Sequence, residues 1–195
     1  WLNHASNYCV SITQKLKLSK DSLVVELASN DGYLLKNFVK LGIPCLGIEP
    51  TKTTAQVSRD LGVDVKEVFF SKNVALQLVA EGRKADLIIG NNVYAHVPDI
   101  NDFTRGVAVL LKSNGVVTFE FPHLMELISK NQFDTIYHEH FSYLSLISVK
   151  SIFSEFGLKI FDVEQLETHG GSLRVYGCLQ NAKHKISDNV EKILN

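Results

Sequence analysis

Cysteine and proline are both scarce in this chain of 195 residues, with 3 and 4 copies. Cys9, Cys45 and Cys178 are odd in number and far apart, so they form neither a disulfide framework nor a zinc knuckle, and a reducing cytoplasm is the expected location. An excess of one charge is also missing. The 20 Lys+Arg stand against 21 Asp+Glu, a formal net charge of −1, which removes the basic footprint expected of a nucleic-acid partner. Long apolar runs are absent as well. Leu87-Ile88-Ile89 and Gly115–Phe121 fall far short of the roughly 20 residues that span a bilayer, so no membrane partner is expected. Trp1-Leu2-Asn3-His4 shows no basic segment leading into an apolar one, the pattern of a secretory leader. What is present, 45% apolar and 21% charged residues, is the composition of one folded domain at this length.

The chain opens on Trp rather than Met, and residues 183–195 (KHKISDNVEKILN) read as an amphipathic helix that stops without a cap. Both features lead us to expect a module of a longer protein. Between them runs an alternation. Residues 2–19 carry apolar positions at helical spacing. Leu23–Ala28, Cys45–Glu49, Val63–Val65, Ala85–Gly90 and Gly115–Phe121 read as strands. Tyr33–Leu41, Thr51–Leu61, Lys72–Glu81 and Ile100–Leu111 read as helices, the first three closed by Gly42, Gly62 and Gly82. Strands separated by 10–15-residue helices imply an α/β fold with a parallel sheet and right-handed crossovers. Residues 123–156 read as largely helical with a polar interruption at 131–140. Lys159–Leu166 and Ser172–Leu179 read as two late strands, an antiparallel pair that finishes the sheet.

In an open parallel sheet, ligands bind beyond the carboxyl ends of the strands. The loop after the first strand, Glu26-Leu27-Ala28-Ser29-Asn30-Asp31-Gly32, has a single glycine. It lacks the G-x-G-x-x-G pyrophosphate cradle, which disfavours a nicotinamide or flavin dinucleotide. Asn30, Asp31 and Gly32 tolerate unusual backbone angles, so a tight turn presenting backbone N–H groups is expected, although Asp31 could equally cap the following helix. Glu49, with Pro50 behind it, ends the second strand 23 positions after Glu26. An acidic side chain there suits the two hydroxyls of a ribose, against the alternative of an exposed surface Glu. A glycine-poor turn with an acidic second-strand end suits S-adenosylmethionine, which has a ribose but no phosphates. Glu26, Ala28, Asn30, Gly32, Glu49 and Pro50 are therefore the expected cofactor contacts. Asn91 and Asn92 join them, because their amides can meet an amino-acid group or an adenine edge, unless they only form an Asx turn. Phe69-Phe70 could wall an adenine or belong to the core.

VVELASNDGYLL (24–35), LGIEP (46–50), NNVYAHVPDINDF (91–103), FDTIYHEHFSYLSL (133–146) and HGGSLRVYG (169–177) together resemble the S-adenosylmethionine-dependent C-methyltransferases of deoxysugar biosynthesis. The resemblance covers nearly the whole chain, in order, and YHEH and HGGSLR are its most specific segments. It implies a Rossmann-like class I methyltransferase sheet, mostly parallel with a late antiparallel strand. It further implies C-methylation of a nucleotide-linked 4-keto-6-deoxyhexose at carbon 3 through an enolate. Family members are about twice this length, with a zinc-binding domain before the methyltransferase core and an α/β domain after it. On that basis residues 1–22 are a leading helix linking to a preceding zinc domain, 23–182 the methyltransferase domain, and 183–195 the start of a C-terminal region. Zinc is expected only in that preceding domain, and the flanking domains are expected partners of the core.

The resemblance implies His140 as the base, Tyr137 as donor to the developing oxyanion or to the sugar, and Glu139 as the group that positions or tunes the histidine. An extended segment would send His138 and His140 one way, whereas a helix would put Tyr137 and His140 on one face. The alternatives are a polar helix face or a zinc site, for which no third ligand is evident. Arg174 could pair with a diphosphate. It stands with Ser172, His169 and His96 as the expected substrate contacts, His96 and Arg174 each with a purely structural alternative. Methylation of oxygen or nitrogen on another small molecule, or a methyltransferase-fold module without activity, are the competing readings.

Overall fold

The computed structural model describes residues 2–194; Trp1 and Asn195 lie outside the described residues. Its strands are β1 (Val24–Leu27), β2 (Cys45–Ile48), β3 (Asp64–Lys66), β4 (Ala85–Asn91), β5 (Leu111–Pro122), β6 (Leu158–Leu166) and β7 (Ser172–Leu179), of which β1 and β2 are buried throughout and β4 and β7 nearly so. Strands buried in this way need cover on both faces. The sheet runs β3-β2-β1-β4-β5-β7-β6. β7 pairs antiparallel with β5 and with β6, and the ladders joining β1 to β5 are parallel.

Alternation along each strand divides the core in two. One face takes Val25, Leu27, Ile88, Val117, Phe119 and Val175. It is covered by α4 (Lys72–Ala80), α5 (Ile100–Leu110), α7 (Leu146–Glu155) and α8 (Asp188–Leu194). The other takes Val24, Leu87, Ile89, Val116, Tyr176 and Cys178, covered by α1 (Leu2–Leu16), α2 (Leu35–Lys40) and α3 (Lys52–Asp60). The same alternation turns Glu26, Thr118, Glu120 and Arg174 toward the α1 face. α1 is integral to that layer: Ala5, Tyr8, Cys9 and Ile12 are buried, and the Tyr8 hydroxyl lies 2.6 Å from Thr118 Oγ1. No helix among the described residues is long and apolar enough to cross a membrane.

The expectation for residues 123–156 is corrected. Helix α6 covers only Leu124–Ser129, a 3-10 turn covers Phe133–Thr135, and the chain is irregular until α7. Asn131, just past the Lys130 cap of α6, takes a left-handed conformation (φ 51). Met125, Ile128, Phe133, Ile136 and Phe141 are exposed, so a continuing helix would have had no face to bury.

Candidate functional site

β1 has β2 on one side and β4 on the other. The chain therefore reverses its winding at β1/β4, and the strand ends there form the crevice in which an open α/β sheet binds ligands. Two left-handed residues, Ala28 (φ 55) and Asn30 (φ 52), turn the chain sharply out of β1, and Asn92 (φ 52) does the same after β4. The β1 turn is braced by its own side chains: Asp31 N donates to Asn30 Oδ1 and Tyr33 N to Asp31 Oδ1. Gly32 (φ 76) is required, because a Cβ there would overlap the Ser58 hydroxyl. Glu49, buried at the end of β2, accepts from Asn30 N at 3.0 Å and Thr51 N at 2.8 Å. Each of its oxygens keeps a further lone pair for a ligand hydroxyl.

A cleft of about 670 Å³ opens over these turns, lined by Asn30, Asp31, Tyr33, Asn91, Asn92 and His169, with Leu2 from α1. A second of about 480 Å³ is mostly apolar, with Ile48, Pro50, Val68, Phe69 and Phe103 among its walls. Ala28, Val93 and His96 line both, so the two form one trough with a polar and an apolar end. Phe69 is 81% exposed at its rim, whereas Phe70 packs edge-on against Phe103 at 5.2 Å.

Buried polar atoms lacking a partner among the described residues include Glu26 Oε2, Ser29 Oγ, Asn91 Oδ1 and Asn92 Oδ1. Orphaned groups of this kind are costly unless a ligand or water completes them, and here they cluster at the strand ends under the polar end of the trough. Burial, with Asp31 and Glu49 nearby, holds the Glu26 carboxyl well above its ordinary value. Burial, with Glu26 behind it, pushes the Tyr33 hydroxyl up to about 12, which keeps it a donor. A polar floor that wants acceptors and donors satisfied, an acidic strand end and an apolar slot fit a nucleoside carrying an amino-acid group.

Beyond His96 stands a cluster of rings. His140 lies 4.6 Å from His96 and 4.4 Å from Tyr137, centroid to centroid, with Tyr143 at 5.7 Å. The three-residue spacing of Tyr137 and His140 is realised in a turn, His140 N donating to Tyr137 O, rather than in a helix. His140 Nδ1 is 2.8 Å from the Thr135 carbonyl, and His96 Nδ1 is 3.0 Å from the Glu139 carbonyl. A carbonyl only accepts, so in each ring Nδ1 is the donor, which leaves Nε2 as the nitrogen turned away from that bond. Burial first, then the adjacent His140, lowers the pKa of His96.

The expected cofactor residues fall into two tiers. Ala28, Asn30, Asn91, Asn92 and Pro50 line the trough, while Glu26, Gly32 and Glu49 stand behind the turns. Among the expected substrate contacts, His96 and His169 line it and Ser172 and Arg174 do not. Ser172 is buried and donates to Thr168 O. Arg174 requires a correction: the residue is 6% exposed, and its guanidinium bonds Glu120 at 2.8 Å and Glu164 at 3.2 Å and covers the Tyr8 ring. A diphosphate would have to break a buried ion pair to reach it. Glu139 acts on a different histidine from the one expected. Its backbone carbonyl, rather than its carboxylate, makes the hydrogen bond to a histidine, and that histidine is His96; the Glu139 charge also acts on His96, opposing the fall in its pKa. Glu120, Tyr33 and Leu2 went unread in the sequence. Only Glu120 carried a signal, as a lone carboxylate inside the apolar run Gly115–Phe121.

Residues 1–163 match the family described as "Methyltransferase domain". The chain is 37% identical over 181 residues to C-methyltransferase NovU of Streptomyces niveus, covering 93% of this chain and 43% of that protein. It is 28% identical over 100 residues to the ubiquinone biosynthesis O-methyltransferase of Bartonella quintana, covering 48% of this chain and 38% of the other. The chain thus spans less than half the length of these curated relatives. Among solved structures, an S-adenosylmethionine-dependent methyltransferase from Clostridium acetobutylicum aligns with a TM-score of 0.68 at 14% identity, over 89% of this chain and 90% of its own. The magnesium protoporphyrin IX methyltransferase of Synechocystis, solved with SAM, aligns with a TM-score of 0.63 at 13% identity, over 88% and 78%. Both establish likeness of fold.

Proposed function

The chain belongs to the methyltransferase-domain family, and from that premise we propose that it uses S-adenosylmethionine to methylate carbon 3 of a nucleotide-linked 4-keto-6-deoxyhexose, with His140 as the base. The observation that carries this reading is the placement of His140, its Nδ1 held 2.8 Å from the Thr135 carbonyl and its ring one ring away from a trough whose polar floor holds unpartnered buried groups. The 37% identity to a C-methyltransferase supports carbon as the acceptor.

The cofactor supplies an electrophilic methyl group on sulfur. The chain's own residues bind and orient it. Glu49 accepts from the ribose hydroxyls, and the Asn91 and Asn92 amides and the Asn30 turn meet the amino-acid end. Ile48, Pro50, Val68 and Phe103 flank the adenine, with Phe69 at the rim. A sugar carbon is a poor nucleophile until deprotonated, and the 4-keto group acidifies the hydrogen on carbon 3. His140 Nε2 removes that proton, Tyr137 donates to the enolate oxygen, and His96 adds a second polar contact between sugar and cofactor. A positioned base of this kind contributes about 10²–10⁴-fold.

The test is hydrogen exchange. Wild-type protein given a nucleotide-linked 4-keto-6-deoxyhexose in heavy water exchanges the carbon-3 hydrogen with solvent, and His140→Ala loses both exchange and methyl transfer while still binding S-adenosylmethionine. Methyl transfer to an oxygen or nitrogen acceptor with no such exchange would replace this reading.

A further inference from the structure

The segment carrying Tyr137 and His140 has no regular structure, so groups outside it must aim the His140 ring. The contact that does so is the Thr135 carbonyl, 2.8 Å from His140 Nδ1. Thr135 closes the Phe133–Thr135 turn, and Gln132 opens it. The Gln132 carbonyl accepts from Thr135 N at 3.2 Å and Thr135 Oγ1 at 2.8 Å. The Gln132 side chain reaches away from the turn, Nε2 donating to the Gly170 carbonyl at 2.9 Å. Gly170 admits this contact only because it has no side chain, since a Cβ there would overlap the Gln132 carboxamide.

Gly170 is a firm anchor. Thr168 Oγ1 donates to Glu120 Oε1 at 3.0 Å, Ser172 Oγ to Thr168 O at 2.9 Å, and Glu120 is held by Arg174. Downstream of His140 the chain is tied independently, Phe141 N and Ser142 N both donating to Ala95 O. Upstream, Gln132 N is tied to α6 by its bond to Leu127 O at 3.0 Å, and the tie from the turn to the Gly170 loop runs through the Gln132 side chain. Lys130 Nζ also reaches Gly170 O at 2.9 Å, but it pairs with Glu126 at 2.7 Å and makes no bond to the Thr135 turn.

We propose that Gln132 is a positioning residue for His140: latched to Gly170, it holds the Phe133–Thr135 turn, and through the Thr135 carbonyl it keeps His140 in the Nδ1–H tautomer with Nε2 directed as the base. The proposal rests on His140 serving as that base. Misplacing a reacting group by about 1 Å costs on the order of 100-fold, and a loosened turn costs part of that.

The experiment compares the full chain with Gln132→Glu, which keeps length and loses the donor, Gln132→Lys, which restores a donor, and Lys130→Ala. Side-chain nitrogen NMR of the histidines, recorded without ligand, reports the His140 tautomer. Kinetics use S-adenosylmethionine and a nucleotide-linked 4-keto-6-deoxyhexose. In Gln132→Glu, His140 moves from the Nδ1–H form to a mixture of tautomers and kcat falls about 10-fold, while the Kd for S-adenosylmethionine is unchanged. Gln132→Lys recovers both readouts and Lys130→Ala moves neither. If Gln132→Glu folds poorly, Gln132→Ala carries the same expectation. An unmoved tautomer, a moved tautomer with unchanged kcat, or equal effects in Lys130→Ala would overturn the latch. A tautomer lost in Gln132→Glu, in a wild type that never methylates the keto-sugar, upholds the latch and removes the substrate assignment instead.

Discussion

Glu26 is a carboxyl that the fold makes harder to ionise. Its ordinary value is 4.5, and burial beside Asp31 and Glu49 raises it well above that. The folded chain then retains a proton that the unfolded chain has released, so stability falls as pH rises from 4.5 through the raised value. Glu26→Gln stays neutral throughout. It removes that slope and unfolds at higher urea concentration than wild type at neutral pH without ligand, and it weakens S-adenosylmethionine binding if the cationic ligand draws the proton off Glu26, because Gln cannot become a carboxylate. Urea titrations across pH and calorimetry check the two halves separately. Glu49→Ala is expected to lower that affinity about 10- to 100-fold, the effect of losing charge-assisted hydrogen bonds. An undiminished affinity would take the ribose role from Glu49. That Glu26 and Glu49 end neighbouring strands could be read from a 23-residue spacing. That Glu49 also braces the Asn30 turn could not, because the bond crosses 19 residues and exists only once β1 and β2 pair.

At the scale of elements, the helix–strand alternation was readable because it is written in local periodicity. Each of Gly42, Gly62 and Gly82 sits in a left-handed conformation just past the end of its helix. Residues 123–156 misled, since an apolar-rich sequence reads as helix whether or not there is anything to pack against. Where the next helix restarts is set by a reciprocal cap: Ser145 Oγ accepts from Ser148 N, and Ser148 Oγ meets Ser145 N at 2.9 Å. Ser145→Ala is expected to cost about 1 kcal/mol, seen as a lower urea midpoint with an unchanged slope. Cofactor affinity stays level, because Ser145 lines neither cleft.

For the whole molecule, the buried pair Arg174–Glu120 joins β7 to β5, with His4 of α1 3.1 Å from both and Glu164 of β6 on the far side. Burial alone would raise the Glu120 carboxyl, but Arg174 and His4 outweigh it and hold the value below 4.5. A depressed carboxyl contributes stability above its unfolded value and loses it as pH falls through the folded one, so the pair weakens in acid. Arg174→Met strands a carboxylate whose side chain is 1% exposed and is expected to cost about 3–5 kcal/mol. Arg174→Met with Glu120→Leu costs less than the single change, because no uncompensated charge remains. Equal losses in the two variants, by urea unfolding, would rule out the buried charge as the cause.

The amino-acid sequence by itself determined the α/β architecture, the turn after β1 and the acidic end of β2, since periodicity and turn chemistry act between residues close in the chain. The tertiary structure alone decided which polar side chains meet the trough. Arg174 and His169 sit five residues apart, yet one is sealed under α1 and the other lines the opening, because strand alternation and the cover of α1 select the face each one sees. The aim of the His140 ring belongs to the tertiary structure too: it follows from a single carbonyl in a turn that no local pattern encodes.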